Sequence, residues 1–242
     1  MKTKMLSILL LIPLALAYQN FAFPGLAKLK LNEINEESRV LHAKELLGKY
    51  YKKSSVSKTE GLQYINIHLL NHVQSSLPKK FTKKAGKIAQ TIISQAEKHD
   101  FDPALVLAMI KTESNFNPTV IGSVGEIGLM QIRPETAEWI AKKENIKWKG
   151  KKSLFDPVYN VRIGVAYIAF LRDHFEGRAD RYLSAYNVGP TKMKKIVGGD
   201  SLPRKYSTKV MKRYEEFYSQ LAVYTIPGNL AQNKISDVLV KN

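Results

Sequence analysis

Apolar residues recur at helical spacing along most of the chain. Ala85, Ile88, Ala89, Ile92, Ile93 and Ala96 follow the i, i+3, i+4, i+7 rule, which predicts a helix with one buried stripe that ends near His99. Lys205 to Tyr224 repeats the pattern, with Val210, Tyr214, Phe217 and Leu221 in line. Pro103 to Thr112 is apolar almost throughout, and Asp102-Pro103 makes a good helix start. The Asp side chain accepts free backbone N–H groups, and Pro suits the first helical position. Asp156-Pro157 opens a further helix running to about Phe175. Upstream, Val40–Leu47 and Leu62–Leu70 are short amphipathic stretches that read as helical. They are separated by a polar loop at Ser54–Glu60 and followed by a basic linker at Pro78–Lys84. With no alternating strand series, internal repeat or low-complexity tract, the class is mainly α.

Both ends depart from this pattern. Met1 to Ala17 reads as a signal peptide: Lys2 and Lys4 precede an apolar stretch from Leu6 to Leu16, and Ala15-Leu-Ala17 fits a small-residue cleavage site. Its apolar stretch is shorter than the roughly 20 residues a membrane-spanning helix needs. The expected division is a signal at 1–17, a helical N-terminal extension of unknown role at 18–84, one catalytic domain at 85–222 and a C-terminal tail at 223–242. An exported protein of the periplasm or cell envelope follows, as a monomer.

Composition narrows the chemistry further. The chain has no cysteine, which excludes disulfides, thiolate nucleophiles, cysteine metal sites and a lipid-modified N-terminal cysteine. Of its 38 Lys and Arg, Lys2 and Lys4 would leave with the signal, so 36 stand against 21 Asp and Glu, a net +15. Such a charge suits an acidic cell-wall polymer or an anionic membrane, and export argues against nucleic acid. Of the five histidines, His68 and His72 lie four apart on a predicted helix. No third ligand accompanies them, so no metal site and no cofactor are expected.

The candidate acid is Glu113. It closes the apolar helix, with Leu105 and Met109 eight and four residues before it on the same face, so its carboxylate borders apolar packing. Partial desolvation raises a carboxyl pKa, which a general acid needs. The segment that follows, Asn115 to Arg133, is rich in Gly, Pro, Asn and Ser, with Gly122, Gly125 and Gly128 evenly spaced, and should be loop or short irregular strand.

Three separated segments combine polar and aromatic residues without core periodicity: Glu113-Ser114, Gly128-Leu-Met-Gln131 and Ala185-Tyr-Asn187. In order and approximate spacing the set resembles the soluble lytic transglycosylases, the peptidoglycan-cleaving branch of the lysozyme superfamily. The likeness continues through Phe116-Asn-Pro118, Leu154-Phe-Asp-Pro157, Asn160, Gly164, Tyr167, Arg204-Lys-Tyr206 and Val210, and covers about residues 85 to 222. It implies a lysozyme-like fold in which Glu113 is a single acid and base. That residue would cleave the β-1,4 bond between N-acetylmuramic acid and N-acetylglucosamine without water, leaving a 1,6-anhydromuramoyl end. The resemblance places Ser114, Met130, Gln131, Tyr186, Asn187 and Tyr206 around the substrate. Gln131 and Asn187 would bond N-acetyl or hydroxyl groups, Tyr186 would offer its hydroxyl to Glu113 or the sugar, and Met130 would form an apolar wall.

The chain also departs from the family. Val120-Ile-Gly122 stands where a small residue and a serine are usual, Glu126 replaces an alanine, and Val188 replaces another. Glu126 reads as a solvated loop charge; were it to reach the scissile bond, it could act as a base for water. The alternatives are therefore a hydrolytic muramidase of goose-lysozyme type, a catalytically silent glycan-binding wall protein, and a basic protein held at an anionic membrane.

Overall fold

The computed structural model describes residues 31–197 and 202–222. The signal segment at 1–17, the start of the extension at 18–30 and the tail from 223 lie outside the described residues. Among the described residues there are nine α-helices and no named strand: α1 (Glu36–Leu47), α2 (Ile65–Ser76), α3 (Ala85–Lys98), α4 (Pro103–Glu113), α5 (Pro134–Lys143), α6 (Pro157–His174), α7 (Ala179–Val188), α8 (Pro190–Val197) and α9 (Arg204–Ala222). The polar loop and the basic linker contain short 3-10 turns at Ser57–Thr59 and Lys79–Lys84. None of the described helices is long and apolar enough to cross a membrane.

The helix starts follow the capping chemistry. Asp102 accepts the Ala104 N–H at 2.9 Å to open α4, and Asp156 accepts those of Val158 and Tyr159 at 3.1 and 3.0 Å to open α6. In α4 every residue from Pro103 to Ile110 is buried, so the helix is apolar all round because it lies inside the protein. It packs along α9 and against α3, while α6 is flanked by α3, α5 and α7. A single continuous core runs from Ala43 in α1 to Leu221 in α9 and takes in the extension's Leu69, Leu70 and Val73.

A buried polar network ties α1 to both α4 and α9. Asp102 is fully buried and accepts hydroxyls from Tyr214 (2.6 Å) and Tyr218 (2.8 and 2.9 Å). Its N–H donates to His42 Nδ1 at 2.9 Å, and His42 Nε2 meets the Tyr182 hydroxyl at 3.2 Å. An accepting Nδ1 leaves the proton on Nε2, and burial holds the ring well below its usual pKa, so His42 is neutral. Burial pushes the Asp102 carboxyl up, opposed by the nearby charge of Arg39 and by the two tyrosine hydroxyls. Arg39 is itself fully buried, held by Glu36 at 2.6 and 2.7 Å, with its guanidinium 5.3 Å from the Tyr218 ring centre.

Candidate active site

Glu113 is the last residue of α4, and the chain reverses immediately after it. Asn115 and Phe116 both adopt left-handed backbone (φ 50 and 61), unusual for any residue but glycine and especially for a bulky one. The fully buried Phe116 ring anchors this turn. The segment then folds back as an irregular loop in which Ile127 bridges both Ile121 and Ile132, agreeing with the loop or irregular strand expected there.

The Glu113 carboxyl is half-buried, and Tyr206 donates its hydroxyl to it at 2.5 Å. Burial raises its pKa to about 7; the Tyr206 bond and the Lys209 charge oppose the rise, and the negative charge of Glu126 adds to it. Near neutrality this group can give a proton and then take one. Tyr206 and Tyr186 are pushed well above the usual tyrosine range by burial and by the charge of Glu113, so both remain donors. The hydroxyl reaching Glu113 thus belongs to Tyr206. That of Tyr186 donates to the Met130 carbonyl at 2.8 Å. The Tyr186 ring lies between those of Tyr206 (6.3 Å, near-parallel) and Tyr167 (5.2 Å).

Helices α4 and α9 are pinned to each other at two levels. Asp102 and Glu113 are separated by about 16 Å of helix at 1.5 Å per residue. On α9, Tyr206 meets Glu113, while Tyr214 and Tyr218 meet Asp102. The two helices therefore run antiparallel, and the bonds at the Asp102 end hold the register in which the Tyr206 hydroxyl reaches the acid.

The Gly128–Gln131 turn is built around Asn160 of α6. Its Oδ1 accepts the Met130 N–H at 2.8 Å, and its amide donates to the carbonyls of Ile127 (2.8 Å) and Leu154 (2.9 Å). Gly128 is required twice over: its φ is +83, and a methyl there would run into the Asn160 amide and come within 2.5 Å of the Leu154 carbonyl oxygen. Ser114 Oγ donates to the Leu129 carbonyl at 2.8 Å and ties the acid's helix to this turn. Met130 is fully buried against Gly164, where a Cβ would stand 2.7 Å from that of Met130.

Six of the seven residues named from sequence are thus linked, but they face different ways. Glu113, Tyr206, Tyr186, Met130 and Ser114 are joined directly or through the turn, with Ser114, Met130 and Tyr186 turned inward. Gln131 is half-buried, and Asn187, at the end of α7, is exposed. Asn160 was part of the motif without a role; its burial and three bonds to loop backbone emerge only in three dimensions. Glu126 is half-buried rather than free in solvent, and its charge reaches Glu113. His68 and His72 are also half-buried, with His72 edge-on to Phe116 and Phe217, both at 5.7 Å.

The sequence profile of the family described as Transglycosylase SLT domain matches residues 90–207. Among solved structures, the chain is similar to an inactive mutant of lytic transglycosylase Slt from Pseudomonas aeruginosa, with 17% identity over 78% of this chain and a TM-score of 0.51. It is also similar to the 70 kDa soluble lytic transglycosylase of Escherichia coli, with 21% identity over 80% of this chain and a TM-score of 0.51. A complex of the 70-kDa soluble lytic transglycosylase with bulgecin A matches at 22% identity over 74% of this chain, again with a TM-score of 0.51. The chain spans 38% of the length of the first two and 32% of the third. At these identities the likeness establishes the fold, and the profile match assigns residues 90–207 to the transglycosylase SLT-domain family.

Proposed function

We propose that this chain is a lytic transglycosylase of the cell envelope that cleaves the N-acetylmuramoyl-β-1,4-N-acetylglucosamine bond of peptidoglycan without consuming water. The observation that carries the proposal is the half-buried Glu113, with a pKa of about 7 and a hydroxyl donor on its carboxylate. Protonated Glu113 gives its proton to the leaving glycosidic oxygen as the C1–O bond breaks. The muramoyl N-acetyl group stabilises the resulting cation. The muramoyl C6 hydroxyl then closes on C1 and returns its proton to Glu113, leaving a 1,6-anhydro ring and a regenerated acid. Tyr206 steadies the carboxylate between the two transfers. Gln131 and Asn187 are the side chains left open for sugar contacts. Ser114, Met130 and Tyr186 support binding by shaping the turn that carries Gln131. The signal-like segment at 1–17 and the net charge of +15 left after its removal fit an exported monomer working on an acidic polymer, with an anionic membrane as a second surface.

A hydrolytic muramidase is the second reading, favoured by the negative charge of Glu126 acting on Glu113. Product analysis separates the two. Muropeptides released from purified sacculi should carry an anhydromuramoyl end, one water lighter than a hydrolysed end and not reducible by borohydride. Mass spectrometry of wild type and Glu113→Gln tests this. A reducible terminal muramic acid refutes the transglycosylase mechanism, and lysis retained in Glu113→Gln refutes the assignment of the acid.

A further inference from the structure

Glu126 and Gln131 meet over Gly122, in the loop that follows Glu113. A methyl group on Gly122 would fall into the Glu126 carboxylate and come within 2.8 Å of Gln131 Oε1. The volume a side chain at 122 would use is therefore filled by two acceptor groups from elsewhere in the loop. The loop backbone holds them there: Gly122 N–H donates to the Glu126 carbonyl at 2.7 Å, and the Glu126 Oε2 atom accepts the Val124 N–H at 3.1 Å.

Gln131 is held as firmly. Its φ of +46 lies in the left-handed region, a strained conformation outside glycine that clusters at functional sites. Its Nε2 donates to the carbonyls of Gly128 (2.9 Å) and Val120 (3.2 Å), so the amide orientation is unambiguous: two carbonyls demand the NH₂ end. Oε1 is thereby turned toward Glu126. Neither carries a hydrogen to offer the other, so a donor placed between them can bond both.

We propose that Glu126 and Gln131 form an acceptor pair that binds a hydrogen-bond donor of the glycan, an acetamido N–H or a sugar hydroxyl, in the loop that follows Glu113. The inference rests on the reading of the site as a glycan-cleaving one. Glu126 is then a substrate-binding residue set in the place that Gly122 leaves open, and the departures at 122 and 126 are one exchange rather than two unrelated changes. A side chain at 122 and a carboxylate at 126 would compete for the same volume.

The test measures binding separately from turnover. In a Glu113→Gln background, which removes the acid, affinity for the β-1,4-linked N-acetylglucosamine tetramer is measured by titration calorimetry. Adding Glu126→Ala should weaken binding about ten- to hundredfold, the worth of a hydrogen bond to a charged group. Glu126→Gln is the sharper variant, because its new NH₂ can donate to Gln131 Oε1 and satisfy the pair internally. Affinity should again fall at least about tenfold while the melting temperature holds or rises, a combination that a purely structural role does not produce. Adding Gly122→Ser to Glu113→Gln/Glu126→Ala should recover part of the lost affinity by returning a hydroxyl to the vacated space. Equal affinity in Glu113→Gln and Glu113→Gln/Glu126→Gln overturns the proposal. In an otherwise wild-type chain, Glu126→Gln should leave the proportion of anhydro to reducing ends unchanged. A change in that proportion also overturns it, by making Glu126 a base for water. Lysis by Glu113→Gln alone would instead sink the assignment of the acid, so the two failures are distinguishable.

Discussion

Replacing Glu113 by Gln should stabilise the protein at alkaline pH and leave it nearly unchanged in acid. The pKa of this carboxyl rises on folding from 4.5 to about 7, chiefly because burial penalises its charge. Between those values the folded state holds a proton that the unfolded chain has lost, so stability falls as pH rises. The group's favourable contribution is complete below about pH 4.5 and gone above about pH 7. At 1.36 kcal/mol per pH unit the whole effect is about 3 kcal/mol. Gln keeps the shape and an oxygen able to accept the Tyr206 hydroxyl, and it does not titrate. Melting curves of wild type and variant at about pH 4.5 and about pH 8 isolate the effect, because all other titrating groups are common to both. The variant should gain about 6–12 °C over wild type at the higher pH relative to the lower, at 2–4 °C per kcal/mol for a domain of this size. A difference in melting temperature that does not change with pH would show that the carboxyl is not held in its acid form, and the acid–base reasoning would fail with it.

Other perturbations should read out separate parts of the site. Tyr206→Phe removes the bond that favours ionised Glu113, so the alkaline limb of the kcat/KM profile should move to higher pH and kcat should fall; an unmoved limb would show that the 2.5 Å contact has no influence in solution. Glu126→Gln removes a like charge, and the same limb should move to lower pH. Asn160→Ala deletes three buried bonds, to the backbone of Ile127, Met130 and Leu154, and should destabilise the fold by about 3 kcal/mol, measured by urea unfolding; a loss within experimental error would contradict the keystone role. Arg39→Met strips the buried Asp102 of its nearby positive charge and should cost about 3–5 kcal/mol. Full stability in that variant would show that α1 does not secure the helix that ends in Glu113.

Local chemistry explains why so much of the fold was legible beforehand. Helix starts at Asp102 and Asp156 depend on a side chain reaching N–H groups two or three residues away, and the stripes on α3 and α9 need only the 3.6-residue period. Glu113 stood out for a similar reason, a lone carboxylate closing an apolar run. What those rules cannot supply is direction across the fold. Sequence alone offers the Tyr186 hydroxyl to Glu113 or to the sugar, and gives Tyr206 only a place around the substrate. Packing of α4 against α9 aims the Tyr206 hydroxyl at the acid, and packing of α6 and α7 beneath the loop aims that of Tyr186 at the Met130 carbonyl. Ser114 and Met130 were equally ambiguous, because a serine or methionine beside a catalytic motif can face a ligand or the core with no change in local pattern.

By itself the sequence determined the helical class, the capped helix that ends in Glu113 and the glycine-rich turn that follows, since propensity, capping and periodicity act within a few residues. Only the tertiary structure decided the buried Asp102, Arg39 and His42 network, the Tyr206 bond on the acid and the convergence of Glu126 with Gln131 over Gly122. The reason is physical. A carboxyl pKa of about 7 and a shared space between two acceptors depend on burial and on distances between groups far apart in the chain, and neither exists until the helices are packed.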